Sequence, residues 1–267
     1  MKNFDGRLII AGERVETREK IEVENPATLE ILGEVCLGSS QDCQRAVEAS
    51  REAFHSWRSL ALRQKQEIFK AARQILWRRA EEIARLITLE KGSPLVESLA
   101  VEVLGILETL DYYSRCQPDS LRPRKAAVHV PFFGHKKNRF LFQPLGPTLV
   151  ISPWNFPFLL SANDVICALA AGNTVILRPS TSTPFCSLAI GEIFLEAGLP
   201  PGVLNVVPCR VTQAEELILN PSIQCLLFTG SVATGKRIME LASRNLTSLV
   251  LELGGKDPMI VLEDADV

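Results

Sequence analysis

Several absences narrow this sequence before any motif is considered. Lys and Arg number 29 against 31 Asp and Glu, leaving a net charge of -2. No overall field draws such a chain toward nucleic acid or an acidic membrane. Near its start, Asp5, Arg7, Glu13 and Arg14 interrupt any apolar run, so no secretory signal peptide is expected there. Seven cysteines lie at 36, 43, 116, 167, 186, 209 and 225, with no C-x-x-C pair. An odd, scattered set of this kind reads as free thiols in a reducing cytoplasm. No G-x-G-x-x-G fingerprint follows any expected strand. No period repeats, and no segment is low in complexity.

Charge is also absent from residues 140–163, a run long enough to raise the question of a membrane span. Pro144, Pro147, Pro153 and Pro157 fall inside it, with Gly146 and Asn155. That segment cannot be one continuous helix, and lipid would leave its backbone groups unpaired. It is expected to be buried protein core.

What is present is a globular composition: 267 residues, 46% hydrophobic and 22% charged. This is enough for one large or two ordinary domains. Short strands are expected at 8–10, 21–23 and 31–35, with turns at Gly12 and at Asn25-Pro26-Ala27-Thr28. Ser40 is the expected cap of a helix over about 41–54. Apolar spacing continues helically over 63–89, and again from 96 to about 113. Residues 122–139 hold Arg122, Arg124, Lys125, Lys136, Lys137 and Arg139 and no acid. With Val128, Val130, Phe132, Phe133, Phe140 and Phe142 they read as a hairpin with a basic turn. A solvated arm or subunit contact suits so small a cluster better than a nucleic-acid patch.

From Pro147 apolar strands alternate with helices. Strands are expected at 148–152, 174–177, 203–207, 224–228 and 248–253, with helices at 158–171, 184–197, 213–219 and 234–242. This pattern predicts an α/β fold, an open parallel sheet with helices on both faces. Ligands of such sheets bind at the carboxyl ends of the strands. Four loops fall there: Ser152-Pro153-Trp154-Asn155-Phe156-Pro157, Arg178-Pro179-Ser180-Thr181, Phe228-Thr229-Gly230-Ser231 and Glu252-Leu253-Gly254-Gly255-Lys256.

Each motif alone has two readings. Gly230 to Gly235 and Lys236 open a helix after a strand, where backbone N–H groups can face a phosphate. They nearly spell a P-loop, but Arg237 stands where the magnesium-binding hydroxyl belongs. A tight turn needing glycine explains them as well. Asn155 is either a turn asparagine or an amide able to stabilise an oxyanion. Glu252, set among Leu249, Val250, Leu251 and Leu253, is either a strand-end surface carboxylate or a general base whose pKa burial would raise.

Together these runs resemble the aldehyde dehydrogenase superfamily. The resemblance rests on Pro153-Trp154-Asn155-Phe156-Pro157, Ala170-Ala171-Gly172-Asn173-Thr174-Val175, Gly198-Leu199-Pro200-Pro201-Gly202-Val203, Phe228-Thr229-Gly230-Ser231 and Glu252-Leu253-Gly254-Gly255-Lys256. It is dense from Arg139 onward and looser before, where Asn25 to Thr28 and Glu90-Lys91-Gly92 also fit.

The resemblance implies oxidation of an aldehyde by NAD or NADP through a cysteine thiohemiacetal and thioester. It implies that Asn155 serves the oxyanion and Glu252 the hydrolytic water. Ser152, Trp154, Phe228, Thr229, Leu253 and Gly254 would line the cofactor groove. Gly230, Ser231 and Gly235 would lie at the pyrophosphate, and Arg178, Ser180 and Thr181 at the adenosine ribose. No metal site is implied. The family often has glutamate where Thr181 stands, so a neutral Thr181 beside Arg178 is expected to tolerate or favour NADP.

The family's domain plan implies cofactor-domain segments at 1–125 and 144–255, an oligomerisation arm at 126–143, and the start of a catalytic domain at 256–267. A homodimer or homotetramer is implied. The family's cysteine motif lies beyond the Glu-Leu-Gly-Gly-Lys run, and none of the seven cysteines sits in it. The chain alone is therefore expected to be inactive, with apolar surface exposed around 253–267. A catalytically inert nucleotide-binding or oligomerisation module is the alternative from another class, and a P-loop hydrolase a third.

Overall fold

The computed structural model describes residues 4–116, 121–126 and 136–266. The alternation read from Pro147 onward folds as five parallel strands in the order β11-β10-β7-β8-β9: β11 (Ser248–Leu253), β10 (Cys225–Gly230), β7 (Pro147–Ile151), β8 (Thr174–Arg178) and β9 (Leu204–Val206). The N-terminal hairpin, β1 (Leu8–Ile10) and β2 (Glu13–Val15), extends the sheet beyond β9 in the antiparallel sense. β3 (Lys20–Glu24) and β4 (Ile31–Cys36) form a separate antiparallel pair. Their turn is locked where Asn25 accepts the Ala27 N–H through its side chain at 2.9 Å.

Both sheet faces are covered, because successive strand residues point to opposite sides. Ile9, Val150, Val175, Leu177 and Val206 join one core, packed by helices α2 (Leu62–Arg78), α3 (Ala80–Lys91), α5 (Leu104–Arg115), α6 (Leu159–Ala170) and α7 (Pro184–Glu196). Leu8, Ile10, Leu149, Ile151, Ile176, Leu226 and Phe228 join the other, packed by α1 (Ser40–Ser59), α8 (Val211–Ile218) and α9 (Val232–Ala242). The uncharged run resolves into an exposed stretch holding Phe140, Leu141, Phe142 and Leu145, then β7, a loop and the first five residues of α6; β7 and the stretch from Phe158 join these cores, so the run is core in part and not throughout as expected. Among the described residues no helix is long and apolar enough to cross a membrane.

Several expectations change in detail, among them the end of α1, at Ser59, and the start of α8, at Val211. The cap of α1 is Ser39, one residue earlier than expected; its hydroxyl accepts from Asp42 N while Asp42 returns a bond to Ser39 N, completing a capping box. The helical region 63–89 is two helices, broken at Arg79, whose backbone (φ -103°, ψ 11°) leaves the helical range. The helix expected from 96 starts as a short turn, α4 (Leu95–Glu97), and passes through a π-helical stretch, Ser98–Val103, into α5. The last helix, α9, starts at Val232 rather than 234.

The basic arm is an antiparallel pair of β5 (Arg124–Ala126) with β6 (Asn138–Phe140). Val128, Val130, Phe132 and Phe133 lie outside the described residues. After β11 the chain to Asp266 has no helix or strand. Met259 and Ile260 are more than 80% exposed there, the apolar surface expected around 253–267.

Candidate active site

The strand register decides whether the four loops meet. Arg178 of β8 pairs with Ile151 of β7, Ile151 with Phe228 of β10, and Phe228 with Leu251 of β11. One row of residues thus crosses four neighbouring strands. Ser152, Thr229 and Glu252 each follow that row by one residue, so the loops leave the sheet at one level and on one edge.

On the β7 loop, Trp154 and Asn155 are exposed, Trp154 by 60%. Ser152 is turned inward; its hydroxyl accepts from Ser161 of α6 at 2.7 Å, and its N–H donates to Arg178 O at 3.3 Å. Ser152 therefore joins the β7 loop to α6 and to the β8 loop. On the β8 loop, the Arg178 guanidinium donates to Cys209 O at 2.8 Å, while its Nε is buried without a hydrogen-bond partner. Arg178 and Thr181 share a surface depression with Arg210, Val211, Thr212 and Glu22. Ser180 Oγ accepts from Ser182 N, shaping the turn.

On the β10 loop, Phe228 is buried, and its ring lies under Gly230. A Cβ on Gly230 would stand 2.5 Å from that ring, so only glycine lets the strand end close over it. Thr229 and Gly230 are half-buried, and Ser231 is exposed. Ser231 caps α9, accepting from Thr234 N at 3.2 Å. Gly235 and Lys236 lie inside α9, not in a loop before it. The P-loop reading fails on this point, since that motif wraps phosphate with a loop preceding its helix. Gly235 is itself buried, with Leu253 where a side chain would stand. It permits α9 to approach β11 and presents no surface of its own.

Glu252 and Leu253 end β11, Gly254 follows, and all three are exposed. The burial on which a raised pKa for Glu252 was expected is not there. The perturbed carboxyl is Asp164 on α6: burial, and then the negative charge of Glu252, push it up to about 6. Sequence reading missed Asp164, although a signal exists. It is the one charged residue between Arg139 and Arg178.

Two further carboxylates were missed. Glu102 is fully buried and accepts from Phe158 N and Leu159 N, at 3.0 and 3.1 Å, where α6 begins. Glu90 accepts from Phe185 N and Cys186 N, at 2.6 and 2.8 Å, where α7 begins. Burial raises Glu90 to about 7 against the lowering by those N–H groups. Neither α6 nor α7 has a local side-chain cap. Among the described residues no cluster of His, Cys, Asp and Glu could hold a metal ion.

This geometry has counterparts among known proteins. The model of the aldehyde dehydrogenase family matches residues 14–267. The chain is 35% identical to the mitochondrial succinate-semialdehyde dehydrogenase of Arabidopsis thaliana, over 97% of this chain and 49% of that protein. It is likewise 35% identical to a 1-pyrroline-5-carboxylate dehydrogenase of Geobacillus thermodenitrificans, over 97% of this chain and 51% of that one. A solved E. coli NADP-dependent enzyme superposes with a TM-score of 0.91 at 33% identity, covering 98% of this chain and 54% of its own. The chain spans about half the length of the curated relatives it matches.

Proposed function

The chain belongs to the aldehyde dehydrogenase family, and from that premise we propose that it forms the cofactor half of an NAD(P)-dependent oxidation of an aldehyde to a carboxylic acid. The observation that carries this reading is the row Arg178–Ile151–Phe228–Leu251, which brings four loops to one sheet edge. The nicotinamide, when bound, accepts the hydride. The chain's own residues bind, orient and move protons around it.

The N-terminus of α9 carries only a serine cap and exposed residues, so its N–H groups and dipole are open to a pyrophosphate beside Gly230 and Ser231. Exposed Trp154 and the ends Leu253 and Gly254 flank the groove. Thr229 stands at its floor, with Phe228 buried beneath as its support. Arg178, Ser180 and Thr181 meet the adenosine ribose. The cationic side chains of Arg178 and Arg210 in the same depression support acceptance of a 2′-phosphate, and hence of NADP.

Exposed Asn155 can donate its amide N–H to a developing oxyanion, and exposed Glu252 can take a proton from water. The attacking thiolate comes from outside these 267 residues. Five of the seven cysteines are buried, Cys167 is bonded to the Tyr113 hydroxyl at 3.4 Å, Cys116 is exposed just past the end of α5, and none of the seven lies on the four loops. The chain alone therefore does not turn over, the β5–β6 hairpin serves assembly with another copy, and the free thiols suit a cytoplasmic setting.

The test is a parallel titration of the folded chain with NADP, NAD and magnesium ATP, read by tryptophan fluorescence with Trp154→Phe as control. Saturable quenching by a nicotinamide cofactor, lost in the control, is expected. Preference for ATP, or no binding by a chain shown to be folded, refutes the reading.

A further inference from the structure

The loop that carries Asn155 is held from beneath by a charge pair supplied from a remote part of the chain. Lys91, at the end of α3, places Nζ 4.0 Å from the centre of the Phe156 ring, within cation–π range. The same Nζ donates to Glu97 at 3.1 Å and to Glu102 Oε1 at 3.2 Å. The other Glu102 oxygen, Oε2, accepts Phe158 N and Leu159 N. One carboxylate thus grips the first N–H groups of α6 and also the ammonium that lies on Phe156. Residues 156, 158 and 159 are all fixed by it, directly on the C-terminal side of Asn155.

The local sequence explains how Glu102 reaches inward. It stands in the π-helical stretch Ser98–Val103, where Ser98, Glu102 and Val103 are buried. A π turn inserts an extra residue and rotates the helix beyond it. Ser98 anchors the stretch through its hydroxyl to Ser93 and Thr88, at 2.8 and 3.0 Å. A fully buried carboxylate persists only when hydrogen-bonded and paired, and here the two N–H groups and the Lys91 ammonium supply three donors.

We infer that Glu102, with Lys91, is a positioning residue that sets the place of Asn155 and Trp154 at the sheet edge. The inference rests on the dehydrogenase reading for its consequence in catalysis, but not for its geometry. Glu90 is the internal comparison. It too is buried and accepts the first N–H groups of a helix, α7, yet its helix does not carry the Asn155 loop.

The experiment uses the full chain, isotope-labelled, and follows the side-chain amide of Asn155 and the indole N–H of Trp154 by nuclear magnetic resonance. In Glu102→Gln and in Lys91→Met both signals are expected to move or broaden, while Glu90→Gln leaves them in place. Lys91→Met keeps the Glu102 bonds to α6, so it decides the matter if Glu102→Gln does not fold. Unchanged signals in the folded variants, or equal changes in Glu90→Gln, would overturn the inference. In the turning-over enzyme, Glu102→Gln is expected to lower kcat about tenfold to a hundredfold, the cost of a misplaced group. An unchanged kcat would overturn it too. If the parent enzyme oxidises no aldehyde, the dehydrogenase reading fails, and the resonance signals still decide the role of Glu102.

Discussion

Helices α6 and α7 differ from α8 and α9 in what meets their first N–H groups. At α6 and α7 the positive end of the helix is filled by a buried glutamate from the α3–α5 region, Glu102 and Glu90 respectively. At α8 no side chain caps the end, and at α9 a serine hydroxyl does. All four helices follow strands of one parallel sheet, yet only the second pair is left without a carboxylate. A helix N-terminus occupied by a protein carboxylate cannot also take a phosphate, because both ligands need the same N–H groups and the same dipole. The difference separates helices that hold the loops in place from helices that can receive an anion.

The comparison breaks most visibly at Glu102. Glu102→Leu leaves the Phe158 and Leu159 N–H groups without their acceptor and Lys91 with Glu97 alone, and should cost about 3–5 kcal/mol in chemical denaturation. A loss below about 1 kcal/mol would mean the filled ends are not structural.

The converse change fills an open end. Ser231→Asp puts a carboxylate where α9 now has a hydroxyl. It should leave stability equal or raised by about 0.3–1 kcal/mol, while nicotinamide-cofactor affinity falls about a hundredfold, near 2.7 kcal/mol. Equal affinity in the titration would place the pyrophosphate elsewhere. Thr181→Glu probes the neighbouring loop: NADP affinity should drop about tenfold relative to NAD, and an unchanged ratio would remove Thr181 from the ribose site.

The smallest effect concerns Asp164. Its carboxyl lies near 6 in the folded chain against 3.8 for an ordinary aspartate. The folded state therefore holds the proton more tightly, and this contribution is present below about pH 4 and lost as pH rises through about 6. Asp164→Asn should flatten the thermal midpoint between those values and gain about 1 kcal/mol above pH 6, allowing for solvent screening. An identical pH profile in the variant would remove the group from that transition.

The alternation that announced the sheet was plain in the sequence because buried parallel strands such as Thr174–Arg178 must be apolar on both faces. The helix ends at Gly172 and Gly198 were equally plain; both have positive φ, 91° and 82°. Other features were hidden for physical reasons. The break at Arg79 lies within a continuous apolar stripe, and nothing local demands it. The inward turn of Glu102 depends on a π stretch that leaves no mark in hydrophobic spacing. Glu252 stood among leucines and read as buried, yet β11 ends the sheet, and an edge strand keeps one side open.

By itself the sequence determined the strand–helix order, the parallel sheet, the common edge for four loops and the family. These follow from local rules: side-chain period, glycine at helix ends, and strand polarity carrying every strand's loop to the same side. Only the tertiary structure decided which groups are buried there and which helix ends stay open. That choice depends on Glu90 and Glu102 reaching α7 and α6 across intervals of 95 and 56 residues. Contacts over such separations are set by packing, and no local pattern encodes them.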